Sequence, residues 1–300
     1  MKTEKKTNRK TSRTKKTDKT KKAKKTKKKT AETTGRRKQT RNPMKTFITS
    51  ALVVMAVGYV ATATYLYINQ RKFLYFPPQG VLPTSEQTVE IQSGTVTLRG
   101  WVVNEDSEDA VIYFGGNAER PEASLEDFKY LFNNQAVYII NYRGYGESDG
   151  SPTEKNLCSD AMAIYDRVVL DHNNISVIGR SLGSGVAVYL ATQRKVHRLV
   201  LVTPFNCLAD IAQGIYPVFP MRLIMKDKYD SEQIASVITA QTLIIRAEND
   251  EVIPAESTDR LISVFNKNYL ETAIIPEAGH NNIQDYTQYY MLLRDFINRQ

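Results

Sequence analysis

Ser181 stands in the run Gly179-Arg180-Ser181-Leu182-Gly183, directly after the apolar stretch Ile175-Ser176-Val177-Ile178. This is the G-x-S-x-G pattern of a strand that turns sharply into a helix with a serine at the turn. Gly179 and Gly183 remove side chains where the chain doubles back, so strained backbone can hold the serine hydroxyl clear of its neighbours. Ser184, Gly185, Val186, Ala187, Val188 and Leu190 continue as a small, apolar helix start able to pack closely on the strand before it. The chemistry this permits is nucleophilic attack on a carbonyl carbon. A serine hydroxyl is weak in that role unless an imidazole removes its proton and a carboxylate orients the imidazole.

The partners should follow the serine in the order acid, then histidine. His172 precedes Ser181, and His197 lies among Arg194, Lys195 and Arg198, as in a solvated loop. His280 remains, in the polar turn Glu277-Ala278-Gly279-His280-Asn281-Asn282. The acid is sought in Ala247-Glu248-Asn249-Asp250-Glu251, where a strand gives way to a turn; Asp250 is the choice, with Glu248 and Glu251 as competitors. Acyl transfer also needs main-chain N–H groups aimed at the developing oxyanion. Leu182 supplies one, and either Gly116 or Asn117, in Phe114-Gly115-Gly116-Asn117-Ala118, supplies the other. Cys158 and Cys207 are far apart and have no metal-ligand spacing with the scattered histidines, so buried thiols, no metal site and no cofactor are expected.

These residues need a scaffold. Strand-like runs occur at 88–91, 96–103, 110–114, 136–142, 175–178, 199–202, 242–245 and 272–275. From the third onward they alternate with helical segments at 122–132, 154–170, 182–193, 255–264 and 284–298. The class is α/β, a mostly parallel eight-stranded sheet covered on both faces, with the first two strands antiparallel at one edge. Residues 210–234 are apolar and aromatic with poor periodicity, which suits either a small cap over a pocket or an ordinary surface connection.

Charge is distributed unevenly. Residues 1–46 carry 21 Lys and Arg against 3 Asp and Glu, while the remainder carries 20 against 29. The Lys/Thr-rich tail has too few apolar residues to offset chain entropy, and disorder is expected over 1–46. Residues 47–68 hold no charge and are long enough to cross a bilayer, so 47–69 reads as a membrane span. The positive N-terminal side predicts a cytoplasmic tail and a body, residues 73–300, on the far side. A signal sequence cleaved after Ala61-Thr62-Ala63 is the alternative to an uncleaved anchor. Anionic lipid headgroups are the expected partners of the tail, in preference to nucleic acid.

With these motifs in order, residues 73–300 resemble the α/β-hydrolase superfamily. They are most similar to its membrane-anchored branch of depalmitoylase-like, lysophospholipase-like and serine aminopeptidase-like proteins. The stretch Asn141-Tyr142-Arg143-Gly144-Tyr145-Gly146-Glu147-Ser148-Asp149-Gly150-Ser151-Pro152-Thr153-Glu154 resembles a structural signature of that branch. Tyr113-Phe114-Gly115-Gly116-Asn117-Ala118 resembles its oxyanion loop, with Gly115 in place of the usual histidine. The resemblance implies Ser181, Asp250 and His280 as the triad and an acyl ester or thioester, lipid-linked ones included, as substrate. A peptidase or amidase of the same fold is the enzymatic alternative. A non-catalytic scaffold whose tail binds polyanions is the alternative of a different class.

Overall fold

The computed structural model describes residues 42–78, 80 and 84–299. The chain divides into one unit through Leu52 and a second from Val53 to Gln300. Of the expected tail, residues 1–41 lie outside the described residues. Residues 43–46, also assigned to that tail, instead open a helix, α1 (Pro43–Leu74). The reason is local: Pro43 takes the first helical position, where its missing N–H costs nothing, and Asn42 Oδ1 accepts from Met44 N–H at 3.1 Å. The helix also extends through Phe73 and Leu74, which sequence alone placed in the linker and body. None of its residues is buried, and it is long and apolar enough to cross a membrane.

The body is an eight-stranded sheet. Its strands are β1 (Gln87–Ser93), β2 (Val96–Val103), β3 (Asp109–Phe114), β4 (Gln135–Ile140), β5 (Ile175–Arg180), β6 (Arg198–Val202), β7 (Gln241–Ala247) and β8 (Leu270–Ile275). They lie in the order β1-β2-β4-β3-β5-β6-β7-β8. The β1–β2 and β2–β4 pairs are antiparallel and every other pair is parallel. Central strands buried on both sides cannot alternate polar and apolar residues, which is why β3 and β6 are almost continuously hydrophobic.

Five helices cover the sheet: α2 (Leu125–Leu131), α3 (Glu154–Val168), α4 (Leu182–Gln193), α8 (Ala255–Val264) and α9 (Thr287–Ile297). Leu157 of α3, Val186 of α4 and Leu261 of α8 belong to one core; Phe128 of α2 and Leu293 and Phe296 of α9 belong to the other. Between β6 and β7 come three short helices, α5 (Leu208–Ile215), α6 (Met221–Ile224) and α7 (Ser231–Ile234). They account for the weakly periodic 210–234 segment: α6 and α7 are single turns of four residues, too short to show a helical repeat in sequence. Cys207, Ala209, Met221 and Met225 form a small core of their own there.

Candidate active site

β5 sits at the middle of the sheet, between β3 and β6, and delivers Ser181 at its carboxyl end. Ser181 has φ 49° and ψ −114°, a strained backbone for a residue with a side chain. Its N–H donates to Val202 O at 2.9 Å, and its carbonyl accepts from Ser184 N–H at 2.9 Å and Ser184 Oγ at 2.6 Å. Close approach explains the flanking glycines. A Cβ on Gly179 would lie 2.4 Å from Gly183 O, and one on Gly183 would lie 2.1 Å from Phe114 O.

His280 follows β8 in the turn expected for it and is 5% exposed. Its Nε2 lies 2.9 Å from Ser181 Oγ. Its Nδ1 lies 2.9 Å and 3.0 Å from the two Asp250 carboxylate oxygens. A carboxylate can only accept, so Nδ1 carries the proton and Nε2 is left to accept from the serine hydroxyl. Asp250 Oδ1 also accepts from the N–H groups of Val252 and Ile253 at 2.9 and 2.7 Å, which ties the carboxylate to its own turn.

Asp250 and its two competitors in sequence have separate tasks. Glu248 Oε2 accepts from Glu277 N–H at 2.9 Å, and Glu251 Oε2 accepts from His280 N–H at 2.9 Å. That second bond holds the Glu251 carboxyl below its ordinary pKa. Only Asp250 faces the imidazole. A Cβ at Gly279 beside it would lie 2.8 Å from Glu251 Oε2, so a side chain there would push that carboxylate aside.

The β3 loop comes against the serine: a Cβ on Gly116 would lie 3.6 Å from Ser181 Cβ. The Gly116 N–H, one of the two alternatives for the oxyanion donor, is engaged elsewhere. It donates to Glu119 Oε2 at 2.5 Å. The Asn117 N–H has no protein acceptor among the described residues. Leu182 N–H stands at the first position of α4, where a helix offers no internal acceptor. Of the donors expected from sequence, the N–H groups of Leu182 and Asn117 are the two without a protein acceptor among the described residues.

The Asn117 side chain holds the loop in place, donating to Leu74 O at 2.6 Å and accepting from Phe76 N–H at 3.1 Å and Tyr145 OH at 2.8 Å. Tyr142 OH donates to Gly115 O at 2.7 Å. The signature stretch thus contributes two tyrosines that pin the loop. Arg143 anchors the stretch in turn, its Nε donating to Asp160 Oδ2 of α3 at 2.9 Å.

Sequence reasoning missed Glu119 and Arg180. Glu119 Oε1 accepts from Tyr113 OH at 2.5 Å, and its Oε2 pairs with Arg180 at 3.5 Å. Arg180 also donates to His280 O at 3.3 Å and to Gln284 Oε1 at 2.9 Å. Burial and then the adjacent Glu119 charge push the Tyr113 phenol well above its ordinary pKa, so it remains a donor. The available signal was a charged residue in the G-x-S-x-G turn, Arg180, whose counter-charge had to be found nearby. His172 is structural: Nδ1 donates to Ser107 O at 2.8 Å and Nε2 takes the Tyr138 hydroxyl at 2.8 Å.

A family model described as the alpha/beta hydrolase fold matches residues 109–227. An uncharacterized protein of Mycobacterium tuberculosis is 35% identical over 251 residues, which cover 77% of this chain and 88% of that protein. The chain belongs to the alpha/beta hydrolase family. Another relative of this hydrolase, the uncharacterized membrane protein YNL320W of Saccharomyces cerevisiae, is 26% identical over 268 residues, covering 81% of this chain and 94% of that one. Among solved structures, the Pyrococcus furiosus esterase Pf2001 superposes with a TM-score of 0.60 at 19% identity, over 75% of this chain and 97% of the esterase. That likeness is one of fold.

Proposed function

We propose that this hydrolase is a membrane-anchored serine hydrolase that cleaves carboxylic esters or thioesters through an acyl-enzyme intermediate. The observation that carries the reading is the chain of contacts from Ser181 Oγ to His280 Nε2 and from His280 Nδ1 to Asp250. His280 takes the serine proton as Oγ attacks the carbonyl carbon, then returns it to the leaving alcohol or thiol. Asp250 fixes the imidazole tautomer and stabilises the imidazolium. Leu182 N–H and Asn117 N–H receive the oxyanion. Water, deprotonated by the same imidazole, then releases the acyl group and restores Ser181.

In this reading α1 is the anchor. The basic residues before it favour a cytoplasmic N-terminus, with the tail against anionic headgroups and the hydrolase body on the other side. The test is hydrolysis of a p-nitrophenyl ester series, acetyl to palmitoyl, by the full chain in detergent beside Ser181→Ala. Loss of turnover and of fluorophosphonate labelling in the variant supports the reading. Equal rates in the two proteins overturn it.

A further inference from the structure

The second half of α1 and the segment after β6 run side by side within one compact unit, and their contacts follow in the same chain direction. Tyr59 OH donates to Val218 O at 2.9 Å, and its ring stacks on Phe219 with centroids 5.0 Å apart. Gln70 donates to Ile224 O at 3.2 Å and accepts from Lys226 N–H at 2.6 Å. Arg71 then pairs with Asp227 at 2.8 Å, and Tyr75 OH meets Tyr229 OH at 2.9 Å. At 1.5 Å per helical residue, Tyr59 lies about 18 Å before Arg71 along the axis. If α1 spans the membrane, as proposed above, the turn that touches Tyr59 is carried well into hydrocarbon.

The turn is built for that surrounding. No charge occurs between Asp210 and Arg222, which pair with each other across the base of the α5–α6 hairpin. Ile215 and Val218 are 65% and 70% exposed. Hydrocarbon offers backbone groups no partners, so a loop immersed in it must satisfy them internally. Every carbonyl from Tyr216 to Pro220 does accept a bond. Tyr216 O takes Phe219 N–H at 3.1 Å, Pro217 O takes Gln213 Nε2 at 3.3 Å, and Val218 O takes Tyr59 OH. Phe219 O takes Met221 N–H at 2.8 Å, and Pro220 O takes Leu223 N–H at 2.9 Å. Pro217 and Pro220 have no N–H to satisfy. Val218 N–H is the turn's one main-chain donor without a protein acceptor among the described residues, and the carbonyls left over are those of Gln213 to Ile215 at the end of α5.

Between the hairpin and α1 runs a groove of about 210 Å³, lined by Leu66, Phe73, Ile211, Ile215, Ile224 and Met225 among others. We propose that the α5–α6 hairpin is immersed in the same leaflet as the end of α1, and that the groove between them holds a lipid hydrocarbon chain. The occupant follows from continuity: the groove's wall is the same helix that faces lipid on its other sides.

The test uses the full chain in phosphatidylcholine vesicles, with an environment-sensitive fluorophore on Val218→Cys, Ile215→Cys, Val57→Cys or Leu170→Cys. The native Cys158 and Cys207 are 7% and 1% exposed and stay unlabelled. Quenching by lipids carrying nitroxide on the acyl chain, with protection from aqueous iodide, is expected at Val218, Ile215 and Val57. The reverse is expected at Leu170, which is 74% exposed on the body. Iodide quenching at Val218 with lipid quenching at Val57 overturns the hairpin while the span stands. Lipid quenching at Val218 but not Ile215 overturns the groove assignment. Iodide quenching at Val57 overturns the span itself, and the hairpin proposal with it.

Discussion

The Glu119 carboxylate spans the gap between the main chain of the β3 loop, at Gly116 N–H, and the guanidinium of Arg180, the residue immediately before Ser181. Their side chains are only 12% and 13% exposed. Because Arg180 also holds the His280 carbonyl, one ion pair links the backbone segments that carry the serine, the histidine and the Asn117 N–H. Its position makes it a device for holding geometry rather than a group that touches substrate.

Glu119→Gln retains the size of the side chain and removes the charge facing Arg180. The Gly116 amide and Tyr113 hydroxyl then compete for a single neutral acceptor, so the loop loses its fixed height over Ser181. Given what one oxyanion donor contributes, kcat should fall about 10- to 100-fold with KM nearly unchanged. Steady-state kinetics of the full chain on a soluble ester checks this. A change in KM alone would assign Glu119 to substrate binding instead.

Asp250→Asn tests the tautomer argument. The Asn oxygen can keep accepting from Val252 and Ile253, so the turn should remain folded. Its amide then faces His280 Nδ1 as a donor, which forces the ring proton onto Nε2 and leaves nothing to accept from Ser181. A loss of about 10³- to 10⁴-fold in kcat is expected, with an unfolding midpoint close to that of the parent. Glu251→Gln, which alters a main-chain contact of His280 and not its ring, should cost far less.

The parts of this architecture visible in sequence were those under short-range steric or periodic constraint. Gly179 and Gly183 bracket Ser181 because backbone passes within atomic contact of both positions, and the sheet strands are apolar because both faces are covered. Glu119 was invisible because its partners, a main-chain N–H, the strand tyrosine Tyr113 and an arginine on another strand, leave no spacing rule. Asp250 was chosen with Glu248 and Glu251 as competitors for a related reason: each points to a different atom of one distant turn, which no spacing rule distinguishes. The boundary of α1 was drawn at the last charge before the apolar run, whereas helix geometry follows the cap at Asn42 and Pro43.

Gly183→Ala places a methyl group where the nearest atom, Phe114 O, is 2.1 Å away and belongs to the backbone of the adjoining strand. Neither α4 nor β3 can yield without disturbing the sheet centre. A loss of about 3 kcal/mol is expected in denaturant unfolding, at the severe end of overpacking. Gly214→Ala is the matched control: nothing lies within 4 Å of its added carbon, and α5 should tolerate or welcome it. A Gly183→Ala protein as stable as Gly214→Ala, or more stable than the parent, would mean that helix propensity, and not the close approach, governs the elbow.

Arg143→Met separates the structural purpose of the signature stretch from the chemistry. The Arg143 and Asp160 side chains are 14% and 4% exposed, and the pair fastens the turn after β4 to α3. Removing the guanidinium leaves a buried carboxylate without its counter-charge, which costs about 3 to 5 kcal/mol when a buried pair is broken from one side. The double variant Arg143→Met with Asp160→Leu removes both charges and should recover much of that loss. Because Tyr142 and Tyr145 flank Arg143 and hold Gly115 and Asn117, the single variant should also slow fluorophosphonate labelling of Ser181 under conditions where it is still folded. Full recovery of stability in the double variant without recovery of labelling would mean that the ion pair sets the loop's geometry, beyond merely keeping the turn folded.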